Sequence, residues 1–337
     1  MLQRFKANYR SLLGVDISPT SVKILEISLY HNRFCIEGYG YKRLPSNTLE
    51  QNREKIRSCI KKLLAKINSS AKFAAVAVPD STVISKTIQL VDSLNEREME
   101  ELILLEAGKY LAYPSDKISI DFAIIGPSKT SLGMLDVQLL ASREDNVSRR
   151  VDLLRDAGLE VKLVDIESYV LASVIEQLFP KNSHSKLIAL IIISYESIKI
   201  FVYENGKSIY TQEEAFDTSQ LQAIEQAAQL ENKPTDYNIV ILDSFIDSAL
   251  KQIKRSLHYF FSTCHFDFLE QIFLAGEISV LTELVQKVQA ETGSPTSVAD
   301  PFKSLSFSNN INLAEFRKQA PRFLIALGLA LRQVHDN

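Results

Sequence analysis

The stretch Leu12-Leu13-Gly14-Val15-Asp16-Ile17-Ser18-Pro19-Thr20-Ser21-Val22-Lys23-Ile24-Leu25-Glu26-Ile27 reads as an apolar strand ending in an acid, then a short hydroxyl-rich turn. A second strand follows, with a lysine at its base. A tight turn that exposes backbone N–H groups and hydroxyls forms a concavity suited to an anion, and Lys23 adds positive charge beside it. Asp16, at the strand end, is placed to hold hydrated Mg²⁺, which favours one or two carboxylates and keeps several waters. The plain alternative is a β-hairpin with a solvated turn, and the rest of the chain must decide between the two.

With 337 residues, 46% hydrophobic and 23% charged, the chain is long enough for two domains or two lobes of ordinary globular composition. A net charge of −3 excludes the broadly basic surface of a duplex-binding protein, so no nucleic-acid partner is expected. Cys35, Cys59 and Cys264 lie far apart without metal-ligand spacing, and Cys264-His265 lacks a second ligand pair. Scattered cysteines suit a reducing compartment better than a disulfide framework. The basic segment 1–10 has no apolar core of signal-peptide length, and the apolar runs 187–193 and 323–331 are too short to span a bilayer as helices. A cytoplasmic protein is expected, reaching a membrane only through a partner.

Working outward, residues 12–41 read as three strands, with a hairpin connection at 30–33. Helical spacing of Ile56, Ile60, Leu63, Leu64 and Ile67 predicts a helix over 47–67, followed by a buried strand at 74–78. Ser93 and Glu96 predict a capping box for a helix running to about 111, before Tyr113-Pro114 stops it. Strands follow at 118–125 and 135–142, then a helix over 143–157 that ends at Gly158. A strand at 160–164 leads into a helix with an apolar face of Val170, Leu171, Val174, Ile175 and Leu178. Past residue 186 the opening pattern returns: a strand at 187–193, then a hairpin of 198–203 and 208–212 about Asn205-Gly206. A long helical region, an isolated strand at 239–242, a helix over 250–261, a strand at 271–274 and a buried helix over 320–333 complete the chain. Two similar halves of mixed strands and helices predict an α/β fold with a cleft between lobes.

The ordered set LLGVDISPTSVKILEIS, AVAVPDSTVISKTIQL, EREMEELILLEAGKYLAYP, SIDFAII, VQLLASRED, LLRDAGLEVKLVDIESYVLASV, IKIFVYENGKSIYT, QIKRSLHYFF, QIFLAGEISVLTELV and IALGLALR resembles the PilM family of type IV pilus assembly proteins over almost the whole chain. The resemblance implies an actin/FtsA-like two-lobed fold with nucleotide between the lobes. The first lobe would comprise residues 8–83 and 160–185, an inserted α+β subdomain residues 84–159, and the second lobe residues 186–337. It also implies a scaffold at the cytoplasmic face of the inner membrane, bearing on twitching motility. That scaffold would bind the N-terminal cytoplasmic tail of PilN and connect indirectly to PilO, PilP, the motor ATPases and the platform protein, with self-association as a further expectation.

Carried over residue by residue, the first phosphate loop is Asp16, Ser18, Ser21 and Lys23, with Asp16 as the Mg²⁺ ligand. Glu167 falls where an acidic or amide residue can orient water toward a terminal phosphate; the alternative is an acid favoured at a helix N-terminus. Gln252 stands where the family commonly has a glutamate for the ribose hydroxyls, and Gly276 lies in the adenosine stretch, followed by Glu277. The second loop departs from the pattern. Ile192, Ile193 and Ser194 replace an Asp-Ile-Gly run and Ile198 a later threonine, and isoleucine cannot coordinate a hydrated cation. ATP and Mg²⁺ are therefore implied by the resemblance and opposed by these residues. For the partner groove the expectation is Tyr110, Tyr113, Pro114 and Phe122, with the core of a small α+β unit as the alternative for each. The rival functions are an actin-like ATP-hydrolysing enzyme and the cytoplasmic module of a type II secretion system.

Overall fold

The hairpin that opens the chain is formed as expected: β1 (Ser11–Ile17) runs antiparallel to β2 (Ser21–Tyr30), with Asp16 opposite Lys23. The computed structural model describes residues 11–30, 33–45, 48–110, 117–178, 187–216, 236–276 and 281–332. The chain continues through β3 (Arg33–Arg43), α1 (Arg53–Lys66), β4 (Phe73–Val78), β5 (Val83–Val91), α2 (Glu96–Tyr110), β6 (Ile118–Pro127), β7 (Met134–Arg143), α3 (Glu144–Asp156), β8 (Glu160–Ile166) and α4 (Glu167–Leu178). Then come β9 (Leu187–Ile193), β10 (Ser197–Glu204), β11 (Lys207–Ala215), α5 (Asp236–Cys264), β12 (Gln271–Gly276), α6 (Leu281–Thr292), β13 (Thr296–Val298), β14 (Ser306–Phe307), α7 (Leu313–Gln319) and α8 (Leu324–Leu331).

Two sheets share one plan. The first runs β14-β3-β2-β1-β4-β8 and the second β11-β10-β9-β12-β13. In both, a central strand has an antiparallel meander on one side and two parallel strands on the other. Helices α4 and α8 lie in the core common to the two sheets, where Val170, Val174, Ala326 and Leu329 meet Leu25 and Ala75 of one and Leu190 and Ala275 of the other. Helices α1 and α3 cover the outer face of the first sheet, and α5 and α6 that of the second. Every residue of α8 is buried, as its uniformly apolar sequence requires. It lies so close to β1 that a Cβ on Gly14 would stand 1.9 Å from the Ala326 carbonyl oxygen. A third sheet, β5-β7-β6, packs against α2 through Ile88, Leu90, Met99, Ile103, Val137 and Leu139.

Several elements depart from expectation. Helix α1 begins at Arg53 because Thr48 and Gln51 bond reciprocally, side chain to backbone N–H, and close a separate turn first. The capping box of α2 is Asn95/Glu98, two residues after the expected Ser93/Glu96. Asn95 Oδ1 accepts from Glu98 N at 3.0 Å and Glu98 Oε2 from Asn95 N at 2.9 Å, while Val91 and Leu94 close a turn ahead of it. Strand β5 was not anticipated, since polar Ser85, Lys86, Thr87 and Gln89 interrupt its apolar positions. No separate strand exists at 239–242; these residues belong to α5, whose buried Phe245, Ile246, Ala249, Ile253, Leu257 and Phe260 recur at helical spacing. Helix α3, expected inside the inserted unit, instead puts Leu153 and Leu154 into a core with Val15, Ile24 and Ile56 of the first sheet and α1. Near the C-terminus, a 3-10 turn at Ala320–Arg322 containing Pro321 precedes α8, so the expected single helix is divided.

Candidate functional site

The repeat extends to the atoms of the two hairpin turns. In the first, Ser18 N donates to Ser21 O at 2.9 Å and Ser21 N to Ser18 Oγ at 3.0 Å. In the second, Ser194 N donates to Ser197 O at 2.9 Å and Ser197 N to Ser194 Oγ at 3.1 Å. Thr20 N and Glu196 N also donate to these serine hydroxyls, each at 3.3 Å. The N–H groups of Ser18, Thr20, Ser21, Ser194, Glu196 and Ser197 are thus bonded within the turns themselves.

Asp16, Ser18, Lys23, Glu167, Ile192, Ser194, Lys199 and Gly276 meet in one cleft between the two hairpins. Its volume is about 40 Å³. Ser21 is fully buried outside the lining and serves the turn; Gln252, half-buried on α5, also stays out of it. Within the cleft, Lys23 Nζ bonds Asp16 Oδ2 at 2.9 Å, both side chains under a tenth exposed. Lys199, unanticipated, donates to both Glu167 oxygens at 3.0 and 2.7 Å and lies 3.5 Å from Glu213. Burial opposes the Lys199 charge, but Glu167 and Glu213 outweigh it and hold its pKa above the ordinary lysine value. The signal for Lys199 was present in the sequence: it follows Ile192 by seven residues, as Lys23 follows Asp16.

Other buried polar groups surround this pair. Asp80 accepts from Ser168 N at 3.0 Å, and burial, aided by the nearby Glu167 charge, pushes its carboxyl up to about 6. Arg150 on α3 donates to Asn146 O at 3.0 Å, and its Nε has no hydrogen-bond partner among the described residues. Tyr203 Oη donates to Ser168 O at 2.9 Å, and Ser81 Oγ to Glu213 Oε2 at 2.9 Å, so both reach from one sheet's unit to the other.

The groups expected to hold a magnesium nucleotide already have other partners in this cleft. Asp16, the expected metal ligand, is paired with Lys23, and Ile192 offers no oxygen at the equivalent strand end. Both oxygens of Glu167, expected to orient water, are taken by an ammonium. Gly276 has φ +137°, and a Cβ there would lie 2.0 Å from the Ile193 carbonyl oxygen, so the approach of β12 to β9 already accounts for this glycine. Glu277 lies outside the described residues.

A second, larger site is a groove of about 360 Å³ between the third sheet and the first. Strand β6 pairs only with β7 and β8 only with β4 among the described residues, so each is the outermost strand of its sheet. Both edges line the groove, through Ser119 to Ala123 and Lys162 to Ile166. Leu140, Val78 and Tyr169 add to its lining. Phe122 borders it and also packs against the core beneath α2. Its neighbours Asp121 and Ala123 alternate with it along the edge strand. Tyr110 ends α2, and its side chain, like Tyr113 and Pro114, lies outside the described residues.

No helix among the described residues is long and apolar enough to cross a membrane. The structure is similar to that of a PilM–PilN type IV pilus biogenesis complex, with a TM-score of 0.75 at 20% identity, covering 98% of this chain and 100% of the other. It is also similar to ethanolamine utilization protein EutJ from Carboxydothermus hydrogenoformans, with a TM-score of 0.56 at 13% identity over 96% and 90% of the two chains. The architecture is the actin-like α/β fold. The family model described as type IV pilus assembly protein PilM matches residues 14–334, and the chain belongs to that family.

Proposed function

We propose that this protein is a cytoplasmic adaptor of the type IV pilus machine, peripheral at the inner membrane. It captures the N-terminal cytoplasmic tail of PilN in the groove between β6 and β8. Through that tail it links the alignment complex, with PilO and PilP, to the motor ATPases and the platform protein. The observation that carries this reading is a groove bordered by two sheet edges, β6 and β8. An extended peptide laid in such a groove gains main-chain hydrogen bonds from an edge and seats alternate side chains in apolar pockets, here Val78, Val83, Leu140 and Leu163. The named partner of the similar PilM–PilN complex supports the choice of tail. On this reading the units 11–83 with 144–178 and 187–332 are two lobes, and the described residues of 84–143 are an inserted platform that forms one wall of the groove. ATP hydrolysis has no part in it.

The test is calorimetric titration with a peptide copying the PilN N-terminal tail. Saturable binding is expected, together with its loss in Ala123→Arg, which places a long charged side chain on the edge strand. Absence of binding to the unsubstituted protein would overturn the reading.

A further inference from the structure

We propose that the Lys199 ammonium is the resident cation of the interlobe cleft, standing in for a divalent metal, so that the two lobes are held together without nucleotide. This goes beyond the tail-binding reading and does not depend on it.

The argument rests on the pseudo-symmetry of the hairpins. Lys23 opposes Asp16 in the first and Lys199 opposes Ile192 in the second, at the same register. Lys23 bonds the acid opposite it. Lys199 faces an isoleucine, which cannot compensate a buried charge, and an uncompensated buried ammonium is costly. Its Nζ therefore reaches across to Glu167 at the start of α4, where it is 2.7 and 3.0 Å from the two oxygens, with Glu213 of β11 at 3.5 Å. A positive charge held among carboxylates from both lobes is the electrostatic arrangement a divalent cation would otherwise supply. Four further contacts run parallel to it: Tyr203 to Ser168, Ser81 to Glu213, the Arg43 guanidinium 3.9 Å above the Tyr195 ring, and the shared core around α8. The cleft that remains beside these contacts is small, about 40 Å³.

The test compares thermal unfolding of the wild-type chain, Lys199→Met and Lys199→Met/Glu167→Met, each in EDTA, in MgCl2 and in MgCl2 with ATP, with calorimetric titration alongside. The wild-type midpoint is expected to be the same in all three conditions, with no saturable heat. Lys199→Met leaves Glu167 buried without its cation, so its midpoint falls in EDTA and recovers in part as MgCl2 is added. The double variant, with neither charge, regains most of the loss and ignores Mg²⁺. If Lys199→Met does not fold, Lys199→Arg must fold and show the wild-type indifference to Mg²⁺ and ATP. A wild-type midpoint raised by roughly 5 °C at a hundredfold excess of ATP over its dissociation constant would overturn the proposal. So would an unchanged Lys199→Met midpoint, a Lys199→Met protein blind to Mg²⁺, or a double variant no more stable than the single. PilN-peptide binding, read separately, is unaffected by any of these outcomes.

Discussion

Lys23 and Lys199 occupy the same position in two copies of one hairpin, yet one ammonium stays with its own strand pair while the other crosses to the opposite lobe. The difference follows from one residue each: an acid at position 16 and an isoleucine at position 192. A buried ammonium takes the nearest carboxylate, and in the second hairpin the nearest one belongs to α4. An internal repeat has in this way become an interlobe clamp.

The clamp predicts a compensation. Glu167→Gln removes the charge that compensates buried Lys199 and leaves Glu213, at 3.5 Å, as the nearest carboxylate, so unfolding in urea should show a loss of about 3 kcal/mol. Adding Ile192→Asp to that variant gives Lys199 the cross-strand partner that Lys23 has, and should recover a large part of the loss. Non-additivity of this kind is expected only where the two sites share a partner. Simple addition of the two single effects would mean that Lys199 does not choose between them.

Periodicity made most of the strands and the repeat legible, because a strand–turn–hairpin with Lys23 seven positions after Asp16 is a local pattern, and so is its echo at Ile192 and Lys199. The capping residue of α2 was misplaced by two because Ser93 and Asn95 both precede a glutamate by three residues, and the competing Val91–Leu94 turn decides between them. The course of 239–242 was misread because a short apolar run is equally a buried strand or part of a helix, and only the continuation through Phe245 to Phe260 separates the two. The site was least legible. That Asp16 meets Glu167 in one cleft could be expected from the resemblance, but no residue near Lys199 in sequence reveals that its partner lies on α4. The groove face of β6 was likewise obscured, because bulky Ile120 and Phe122 draw attention while Asp121 and Ala123 form the open side.

Gly14 sits where α8 crosses β1. A methyl group there would lie 1.9 Å from the Ala326 carbonyl oxygen and 2.8 Å from the Ala330 nitrogen, both backbone atoms that no side-chain rotation can move. Gly14→Ala should therefore cost more than about 3 kcal/mol in urea unfolding, at the severe end for overpacking. A loss below about 1 kcal/mol would mean that α8 can slide over the sheet, against the burial of all its residues.

Asp80 gives the stability a definite pH dependence. Its carboxyl is raised from 3.8 to about 6, chiefly by burial, with Glu167 adding to the shift and Ser168 and Lys199 opposing it. Between these two values the folded protein holds the proton more tightly than the unfolded chain, so this group's contribution to stability falls as pH rises through that window. Above pH 6 the full cost is present, on the order of 3 kcal/mol. Asp80→Asn keeps an oxygen for the Ser168 N–H and carries no charge. It should be more stable than wild type at neutral pH, with the gap closing as pH falls toward 4. A gap independent of pH would place the Asp80 titration elsewhere.

The groove makes a prediction about the partner's backbone rather than its side chains. If the PilN tail lies as an added strand, its affinity comes largely from main-chain hydrogen bonds to one edge, with specificity from alternate side chains. Successive N–H groups of a strand point to opposite sides, so only every second residue donates to the edge. N-methylation of the peptide at single positions should then alternate along the chain: every second substitution weakens binding by roughly tenfold or more, and those between have little effect. The phase of that alternation identifies which positions face the edge. Ala123→Arg should abolish binding of all the peptides while leaving the unfolding midpoint unchanged, since Ala123 lies half-exposed at the margin of its sheet. A uniform effect of methylation at every position would exclude addition to a single edge.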